Sequence, residues 1–222
     1  ILTSDGYVVT NNHVVEGATS VTVKLYNGDE YDAEVVGTDE MNDVALLKID
    51  ATGLQAVTIG DSDQIEVGEE VIAIGNPLGE LTYSLTDGLI SALDRLITTG
   101  SGNDSTTMNM LQTNCAINPG NSGGALVNDN GELVGINSLI ESYSGSSSGV
   151  GFAIPVNYAK NIADQIIDGK TPVHPYMGAT LSSVNALNAR TNKLSTDSGA
   201  YVASVVEDGP AAKAGIQEGD VI

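Results

Sequence analysis

Short apolar runs separated by turn residues fill the first 155 positions of the chain and restrict the folds that it can adopt. Residues 21–25 alternate apolar and polar side chains, turn at Asn27-Gly28, and alternate again through residues 31–36. An Asn-Gly pair between two alternating runs is the strongest short-range signal for a β-hairpin. Further strands are predicted at residues 7–10, 44–49, 71–74, 81–85, 89–93, 110–113, 124–127, 133–136 and 152–154. This pattern predicts an all-β antiparallel barrel or sandwich.

The first clear helical pattern comes late, from about Asn157 to Asp168. Apolar residues recur there at three- and four-residue steps, and Gly169 follows as a C-cap. Residues 170–175 contain two prolines and read as a stiff linker. A second, shorter helix is expected to start at Pro210. We therefore expect a first domain at residues 1–171, with one or more N-terminal strands missing, and a second at residues 172–222.

Composition narrows the classes of partner. The net charge of −21 makes nucleic acid and anionic membrane surfaces unfavourable partners. Two histidines and one cysteine disfavour a closed zinc site, and a single cysteine excludes an intrachain disulfide. No apolar run has the length of a membrane helix. The sequence begins and ends as if cut within strands, so both termini are expected to be truncated.

A glycine-rich loop around Ser122 is the strongest candidate for chemistry. The sequence Gly120-Asn121-Ser122-Gly123-Gly124 leads into an apolar run. A serine nucleophile needs a base, a group that orients the base, and N–H donors for the oxyanion. Glycines allow the chain to turn so that such donors share one small space. The alternative is a hairpin loop with an incidental serine.

His13 and Asp43 are the candidates for the base and for the group that orients it. His13 lies where a strand gives way to a turn, and Asp43 precedes the most apolar strand. The order His, Asp, Ser fits a double-barrel serine protease whose triad forms across the cleft between two barrels. Taken singly, a histidine at a strand end is usually incidental, and an aspartate before a strand is usually a turn residue. Together with the Ser122 loop, the two support each other.

The surrounding motifs make a family resemblance specific. Residues 10–15 (TNNHVV), 43–48 (DVALLK) and 118–124 (NPGNSGG) resemble the three signatures of HtrA/DegP-type serine proteases. Residues 75–79, 135–138 and 151–155 match three further blocks of that family in the same order, and residues 176–222 resemble the start of its PDZ domain. The resemblance implies a chymotrypsin-like double six-stranded antiparallel β-barrel, followed by a helix and the first half of a PDZ domain.

Roles for the triad residues follow from the resemblance. It implies that Ser122 is the nucleophile, His13 the general base and then acid, and Asp43 the orienter. Gly120, Asn121 and Ser122 would form the oxyanion hole, with the backbone N–H groups of Gly120 and Ser122 as its donors.

The resemblance also implies substrate contacts. Ile117 would line the primary specificity pocket, and no acidic residue before Ser122 marks a pocket for basic side chains, so cleavage after small or medium aliphatic residues is expected. Asn137, Ser138 and Leu139 would form an edge strand that pairs with the substrate backbone. In the second domain, the carboxylate-binding loop of the PDZ fold would comprise Tyr176, Met177, Gly178 and Ala179.

Two positions bear on regulation and on departures from the family. Asn121 replaces the aspartate that digestive proteases pair with a freed N-terminus, so activity is expected to depend on the order of residues 81–84, 98–107 and 141–149, shifted by bound peptide. Asn114-Cys115 stands where the family usually has Asp-Ala. Cys115 is expected to be a buried structural thiol, although it is a formal rival nucleophile.

The function implied is that of an ATP-independent serine endopeptidase acting on unfolded or damaged proteins outside the bacterial cytoplasm. The resemblance implies no cofactor and no metal, a homotrimer or higher oligomer, and binding of C-terminal peptides by the PDZ domain. Two alternatives remain at this point. One is a chaperone or peptide-binding module with a dormant protease domain, and the other is a narrowly specific secreted protease.

Overall fold

The structure is a computed structural model that describes residues 1–76, 83–99, 106–140 and 149–222. The internal contacts divide the chain into two compact units, Ile1–Pro172 and Val173–Ile222. The elements of the first unit are β1 (Tyr7–Thr10), α1 (Asn12–Val15), β2 (Val21–Lys24), β3 (Glu30–Asp39), β4 (Val44–Ile49), β5 (Glu70–Gly75), β6 (Ser84–Thr99), β7 (Thr106–Thr113), β8 (Ala125–Asn128), β9 (Leu133–Ile140), β10 (Gly151–Pro155) and α2 (Val156–Ile167).

The N-terminal part of the first unit is a four-stranded antiparallel sheet in the order β1-β4-β3-β2. The predicted hairpin at Asn27-Gly28 is confirmed, because Lys24 pairs with Glu30 and the turn between them uses a positive φ of 93° at Gly28. Strand β4 is buried on both faces. Val44 and Leu46 pack into one apolar cluster, while Ala45 and Leu47 pack into another. This double burial explains its nearly continuous apolar sequence.

Six strands close into a barrel in the order β10-β7-β6-β5-β8-β9. The sequence predicted two six-stranded barrels, and the described residues form one of them. The N-terminal part is an open sheet there, because it has four strands and the register joins neither β1 nor β2 to a second partner. The two strands expected at residues 81–85 and 89–93 also differ from the structure. Residues from Ser84 onward form the single strand β6, which stays paired with β7 through register shifts near Ala92.

Helix α2 covers one side of the first unit. Its apolar face, which includes Ile162 and Ile166, packs in the same cluster as Leu46 of β4 and Phe152 of β10. The helix pattern predicted for residues 157–168 is confirmed to within one residue at each end. The inside of the barrel has its own cluster of apolar residues, centred on Val71, Leu111 and Leu126. Both parts of the first unit thus rest on a common apolar support.

The second unit contains β11 (Ala179–Ser183), α3 (Ala186–Thr191), β12 (Ala200–Val205) and α4 (Pro210–Lys213). Strands β11 and β12 pair antiparallel, from Ala179 opposite Val205 to Ser183 opposite Ala200. Helix α4 starts with proline at its first turn, as the sequence predicted. None of the helices in the described part of the chain has the length and apolar character that a bilayer crossing requires.

Candidate active site

His13 and Asp43 form a closely bonded pair, which we call the His–Asp pair. His13 Nδ1 lies 2.8 Å from Asp43 Oδ2 and 2.9 Å from Asp43 Oδ1. The main-chain N–H of His13 also donates to Asp43 Oδ1 at 3.0 Å. His13 is the second residue of α1, so Asp43 accepts one of the free N–H groups at the start of this helix. Two bonds from one residue fix the imidazole with its Nε2 edge directed away from the carboxylate.

The hydrogen bonds around Asp43 favour the ionised form of its carboxylate and fix its position. Burial by itself would raise the pKa of Asp43, but the hydrogen bonds from the His13 ring, the His13 main chain and Ser138 Oγ together lower it. The Ser138 hydroxyl donates to Asp43 Oδ2 at 2.8 Å. Because Ser138 lies on β9 of the barrel and Asp43 precedes β4 of the sheet, this bond joins the two halves of the first unit.

The same bonds change the basicity of His13. The hydrogen bond to Asp43 raises the pKa of His13 above its ordinary value of 6.5, and partial burial opposes that rise. The side chain of His13 is 46% exposed, whereas that of Asp43 is 12% exposed. A buried carboxylate thus holds an imidazole that remains open to solvent on its other edge. This is the arrangement that a general base requires.

Ser122 lies at the apex of residues 118–124, which we call the nucleophile loop. Gly120 and Gly123 adopt positive φ values of 99° and 79°, which glycine reaches without steric cost. The loop is closed by hydrogen bonds from Asn121 N to Asn118 O at 2.9 Å and from Gly124 N to Asn121 O at 3.0 Å. An added Cβ at Gly123 would overlap Thr10 Oγ1, so the loop approaches the end of β1 closely.

The hydroxyl of Ser122 is bonded to a main-chain carbonyl. Ser122 Oγ donates to Ser138 O at 2.6 Å. Within the described residues, no hydrogen bond joins Ser122 Oγ to His13 Nε2. The structure therefore brings His13 and Asp43 together and sets the serine in a different hydrogen bond. Ser122 and His13 also open to different cavities, of about 440 Å³ beside the nucleophile loop and about 400 Å³ beside His13.

The nucleophile loop contains the main-chain N–H groups that are expected to form the oxyanion hole. Among the described residues, no hydrogen bond uses the main-chain N–H of Gly120 or Ser122. The carbonyl of Gly120 accepts from Asn76 N at 3.1 Å. The side chain of Asn121 is buried and donates through Nδ2 to Ala116 O at 3.2 Å, so it serves the loop rather than the solvent side. The oxyanion hole formed by these three loop residues remains a prediction.

Strand β9 contains residues 137–139, which are expected to pair with the substrate backbone. It pairs with β8 up to Ile136 and with β10 as far as Ile140. Asn137 is fully buried, and its main chain is bonded to the nucleophile loop through Gly123 N and Gly124 O. An unpaired side of β9 therefore begins only after Asn137, where Ser138 O receives the Ser122 hydroxyl. Substrate pairing by Asn137, Ser138 and Leu139 stays a prediction.

Ile117 lies in the core of the barrel. It is 1% exposed and packs in the same cluster as Cys115 and Leu126. A side chain at Gly151 would overlap Ile117, so β10 closes directly over it. Ile117 lines neither the cavity beside Ser122 nor the one beside His13. Its role in substrate selection stays a prediction.

Cys115 has the surroundings of a structural thiol. It is fully buried, and burial raises its pKa, which disfavours the reactive thiolate. Its Sγ donates to Val71 O at 3.5 Å, inside the barrel. Asn114, the other departure from the family pattern, accepts the main-chain N–H of Leu89 at 2.7 Å. Both residues thus connect the segment before the nucleophile loop to the barrel wall.

The remaining predicted sites lie elsewhere. Tyr176 and Met177 are exposed in an irregular segment, and the carbonyl of Gly178 accepts from Val206 N just before β11 starts at Ala179. Their role as a carboxylate-binding loop stays a prediction. The regulatory loops expected at 81–84, 98–107 and 141–149 lie mostly outside the described residues.

Sequence reasoning missed three residues that hold the site together. Asn11 donates through Nδ2 to the carbonyl of Asp43 at 3.0 Å. Asn76 bonds the carbonyl of Gly120, as described above. Gly75 packs against Asn121, where an added Cβ would lie 2.7 Å from the Asn121 Cα. Each lies inside a motif that the sequence had already singled out, at positions 10–15 and 75–79. The motif marks the region, but which partner each residue meets depends on contacts between distant segments.

Known proteins resemble the chain over its full length. The family model of a trypsin-like peptidase domain matches residues 1–136, and that of a PDZ domain matches residues 165–222. A "Probable periplasmic serine endoprotease DegP-like" from Pseudomonas putida is 48% identical over 223 residues, covering 100% of this chain and 45% of the relative. A "Probable periplasmic serine protease do/HhoA-like" from Haemophilus influenzae is 44% identical, covering 99% and 46%. The chain thus spans less than half the length of these relatives.

Solved structures give the same result. "HtrA-type protease AlgW with tripeptide" matches with a TM-score of 0.82 and 43% identity, covering 100% of this chain and 72% of that chain. "HtrA-type protease AlgW with decapeptide" matches with a TM-score of 0.79 and 43% identity, covering 100% and 67%.

Proposed function

The chain belongs to the HtrA/DegP-type family of trypsin-like serine proteases with a PDZ domain, and we propose that it is a serine endopeptidase using Ser122, His13 and Asp43. The observation that carries the proposal is the His–Asp pair. Asp43 bonds His13 Nδ1 at 2.8 Å from a site that is mostly buried, while the rest of the imidazole stays open. A carboxylate that orients an imidazole in this way on a trypsin-like fold is the arrangement that activates a serine nucleophile.

The mechanism starts with a rotation of the Ser122 side chain. Its hydroxyl leaves the carbonyl of Ser138 and donates to His13 Nε2. As Ser122 Oγ forms a bond to the scissile carbonyl carbon, His13 accepts the hydroxyl proton, and Asp43 stabilises the resulting imidazolium. The developing oxyanion accepts hydrogen bonds from the N–H groups of Gly120 and Ser122.

Collapse of the tetrahedral intermediate breaks the peptide bond. His13 gives its proton to the leaving amine, and Ser122 keeps the acyl group as an ester. A water molecule then gives a proton to His13 and attacks the ester, which releases the carboxylate product and restores the serine hydroxyl. Each proton that His13 accepts is returned, so the cycle needs no cofactor.

The proposal extends to substrates and setting through the relatives. Two matched relatives are named periplasmic proteases, and we assign this chain to an extracytoplasmic part of the bacterial cell envelope. Unfolded or damaged proteins are the proposed substrates, with the PDZ domain binding C-terminal peptides through residues 176–179. A homotrimer or higher oligomer is proposed on the family resemblance, and residues 1–171 and 172–222 are the proposed protease and PDZ domains.

Covalent labelling tests the proposed nucleophile. A fluorophosphonate is expected to label the protein at Ser122, and Ser122→Ala should abolish the label. Cys115→Ala is the matched control, since it removes the only thiol of the chain and should label normally. A dormant protease with a chaperone role would leave the wild-type protein unlabelled, and labelling that required Cys115 would contradict the assignment.

Turnover separates a quality-control protease from a narrowly specific one. Casein, which is unfolded, is expected to be cleaved, while a folded protein of similar size should resist. Cleavage limited to one folded partner would contradict the proposed substrate class. The bonds cut should follow small or medium aliphatic residues, and a preference for arginine or lysine in a peptide library would contradict that expectation.

A further inference from the structure

The main chain of Asp43 adopts an uncommon conformation. Asp43 has a φ of 53°, in the left-handed region that side chains other than glycine seldom occupy. For a non-glycine residue this conformation is strained and persists only where neighbours impose it. Asp43 ends the turn between β3 and β4. Its carbonyl stands outside the strand register, which begins at Val44.

The front of that turn is fixed by Asp39. Its carboxylate accepts the main-chain N–H groups of Met41 at 3.0 Å and Asn42 at 3.3 Å. These two bonds fix residues 41 and 42 of the turn. The carbonyl of Asp43 has a hydrogen-bond partner outside the turn.

That partner is Asn11, which lies between β1 and α1 in the chain. It is 0% exposed, and its Nδ2 donates to the Asp43 carbonyl at 3.0 Å. Asn11 is also the N-cap residue of α1, where an asparagine side chain normally accepts an N–H of the first turn. Here it makes no cap hydrogen bond. The Asp43 carboxylate takes the N–H of His13 in its place.

Asn11 and Asp43 thus each bond the main chain of the segment that carries the other. Asn11 holds the main chain of Asp43, and Asp43 caps the helix that Asn11 begins. This arrangement leaves Asn11 Oδ1 buried without a hydrogen-bond partner among the described residues. An unpaired buried acceptor is destabilising, so the arrangement is retained against a local penalty.

We propose that Asn11 is a positioning residue for the His–Asp pair: its side-chain amide holds Asp43 in the left-handed conformation that directs the carboxylate to His13. The inference rests on the proposed function, since it assigns Asn11 to the same site. Asn11 lines neither the cavity beside Ser122 nor the one beside His13. Its side-chain hydrogen bond goes to Asp43, and we assign its effect on the reaction to that bond.

Two variants separate the hydrogen bond from simple packing. Asn11→Ala removes the amide and leaves a cavity, while Asn11→Leu fills a similar volume and also removes the unpaired Oδ1. Both lose the bond to the Asp43 carbonyl. Because an error of about 1 Å in a catalytic group lowers the rate about 10²-fold, we expect kcat to fall by that order with KM nearly unchanged.

A matched control shares the chemistry and lies outside the site. Asn109→Ala removes an amide that bonds the carboxylate of Asp94, another aspartate with a positive φ, of 54°. This control is not expected to change the titration of His13.

The deciding measurement is an NMR titration of His13, whose signal is identified by its loss in a His13→Gln variant. In Asn11→Leu, Asp43 no longer faces the ring well, so the His13 midpoint should fall towards 6.5, and the acid limb of kcat/KM should move with it. A folded Asn11→Leu protein with the wild-type midpoint overturns the inference, even if the protein is an active peptidase. If the midpoint falls but the wild-type protein cleaves nothing, the proposed function fails and the positioning role of Asn11 stands.

Discussion

The two halves of the candidate site differ in how complete they are. The His–Asp pair, carried by the four-stranded sheet, is assembled through three contacts of 2.8–3.0 Å between two residues. Ser122, carried by the barrel, donates to Ser138 O at 2.6 Å instead of to His13. His13 and Asp43, the proposed base and orienter, are held by a short helix and a turn that lie next to each other. Ser122, the proposed nucleophile, is held by segments of the barrel that are far apart in sequence.

This difference bears on the proposed mechanism. The His–Asp pair already has the hydrogen bonds that the mechanism assigns to it. In the same mechanism, Ser122 leaves one hydrogen bond and forms another before it reacts. Ser138 connects the halves, because its hydroxyl bonds Asp43 and its carbonyl holds Ser122. Changes on the sheet side should therefore alter protonation, and changes on the barrel side should alter the nucleophile.

The largest effect, on kcat, is expected from Asp43→Asn, which disrupts the His–Asp pair. The new amide would present an N–H to His13 Nδ1 and force the wrong tautomer on the ring. Loss of this orienter lowers kcat about 10⁴-fold in triad proteases. Steady-state kinetics on an unfolded substrate will measure it. The control is Asp39→Asn, which weakens the same turn at a buried carboxylate that does not face His13. An equal loss in both variants would contradict the assigned role of Asp43.

A smaller effect is expected from Gly75→Ala, which disturbs the other half. The added Cβ would overlap Asn121 and push the nucleophile loop away from β5. Loss of one oxyanion donor costs about 10²–10³ in kcat, and we expect a fall within that range. The pH midpoint of His13 should not move. Gly37→Ala is the matched control, because its Cβ would overlap Ile166 of α2 at 2.8 Å instead. Gly37→Ala should lower stability and spare kcat; the reverse result would refute the comparison.

The smallest effect is expected from Ser138→Ala, which removes the side-chain bond between the halves and keeps the carbonyl that holds Ser122. Hydrogen bonds lower the pKa of Asp43, so their stabilisation is present above the unfolded pKa near 3.8 and is lost as pH falls through the lowered folded value. We expect the variant to lose about 1.5 kcal/mol of unfolding free energy at pH 7. The difference from wild type should shrink at low pH.

Urea unfolding at pH 7 and at pH 3 checks this sign. Ser62→Ala is the control, because Ser62 Oγ accepts a bond from the neutral main-chain N–H of Asn157 at 3.1 Å. Its cost should be the same at both values of pH. A Ser138→Ala deficit that grows on acidification would mean that Asp43 is not stabilised as described.

Sequence patterns predicted the elements whose signals are local. The Asn27-Gly28 hairpin and the amphipathic helix α2 follow from short periodic segments, and the structure contains both. Strand β6 was predicted as two strands, because the interruption between Leu85 and Leu89 resembles a break. In the structure, the strand continues because β7 and β5 pair along it. Pairing with distant strands overrides such a local break.

The sequence by itself determined the motifs at His13, Asp43 and Ser122 and the all-β class, because each is written in residues that are neighbours along the chain. Only the tertiary structure decided that Asn11 serves Asp43 instead of capping α1, that Asn137 is an internal residue of the barrel, and that Ser122 bonds Ser138. These outcomes depend on hydrogen bonds between residues that lie 16 to 63 positions apart in the sequence. Such residues compete with local partners for the same hydrogen-bonding groups. A buried donor takes whichever acceptor the packed fold brings within reach, and that choice is made only when the sheet and the barrel are in place.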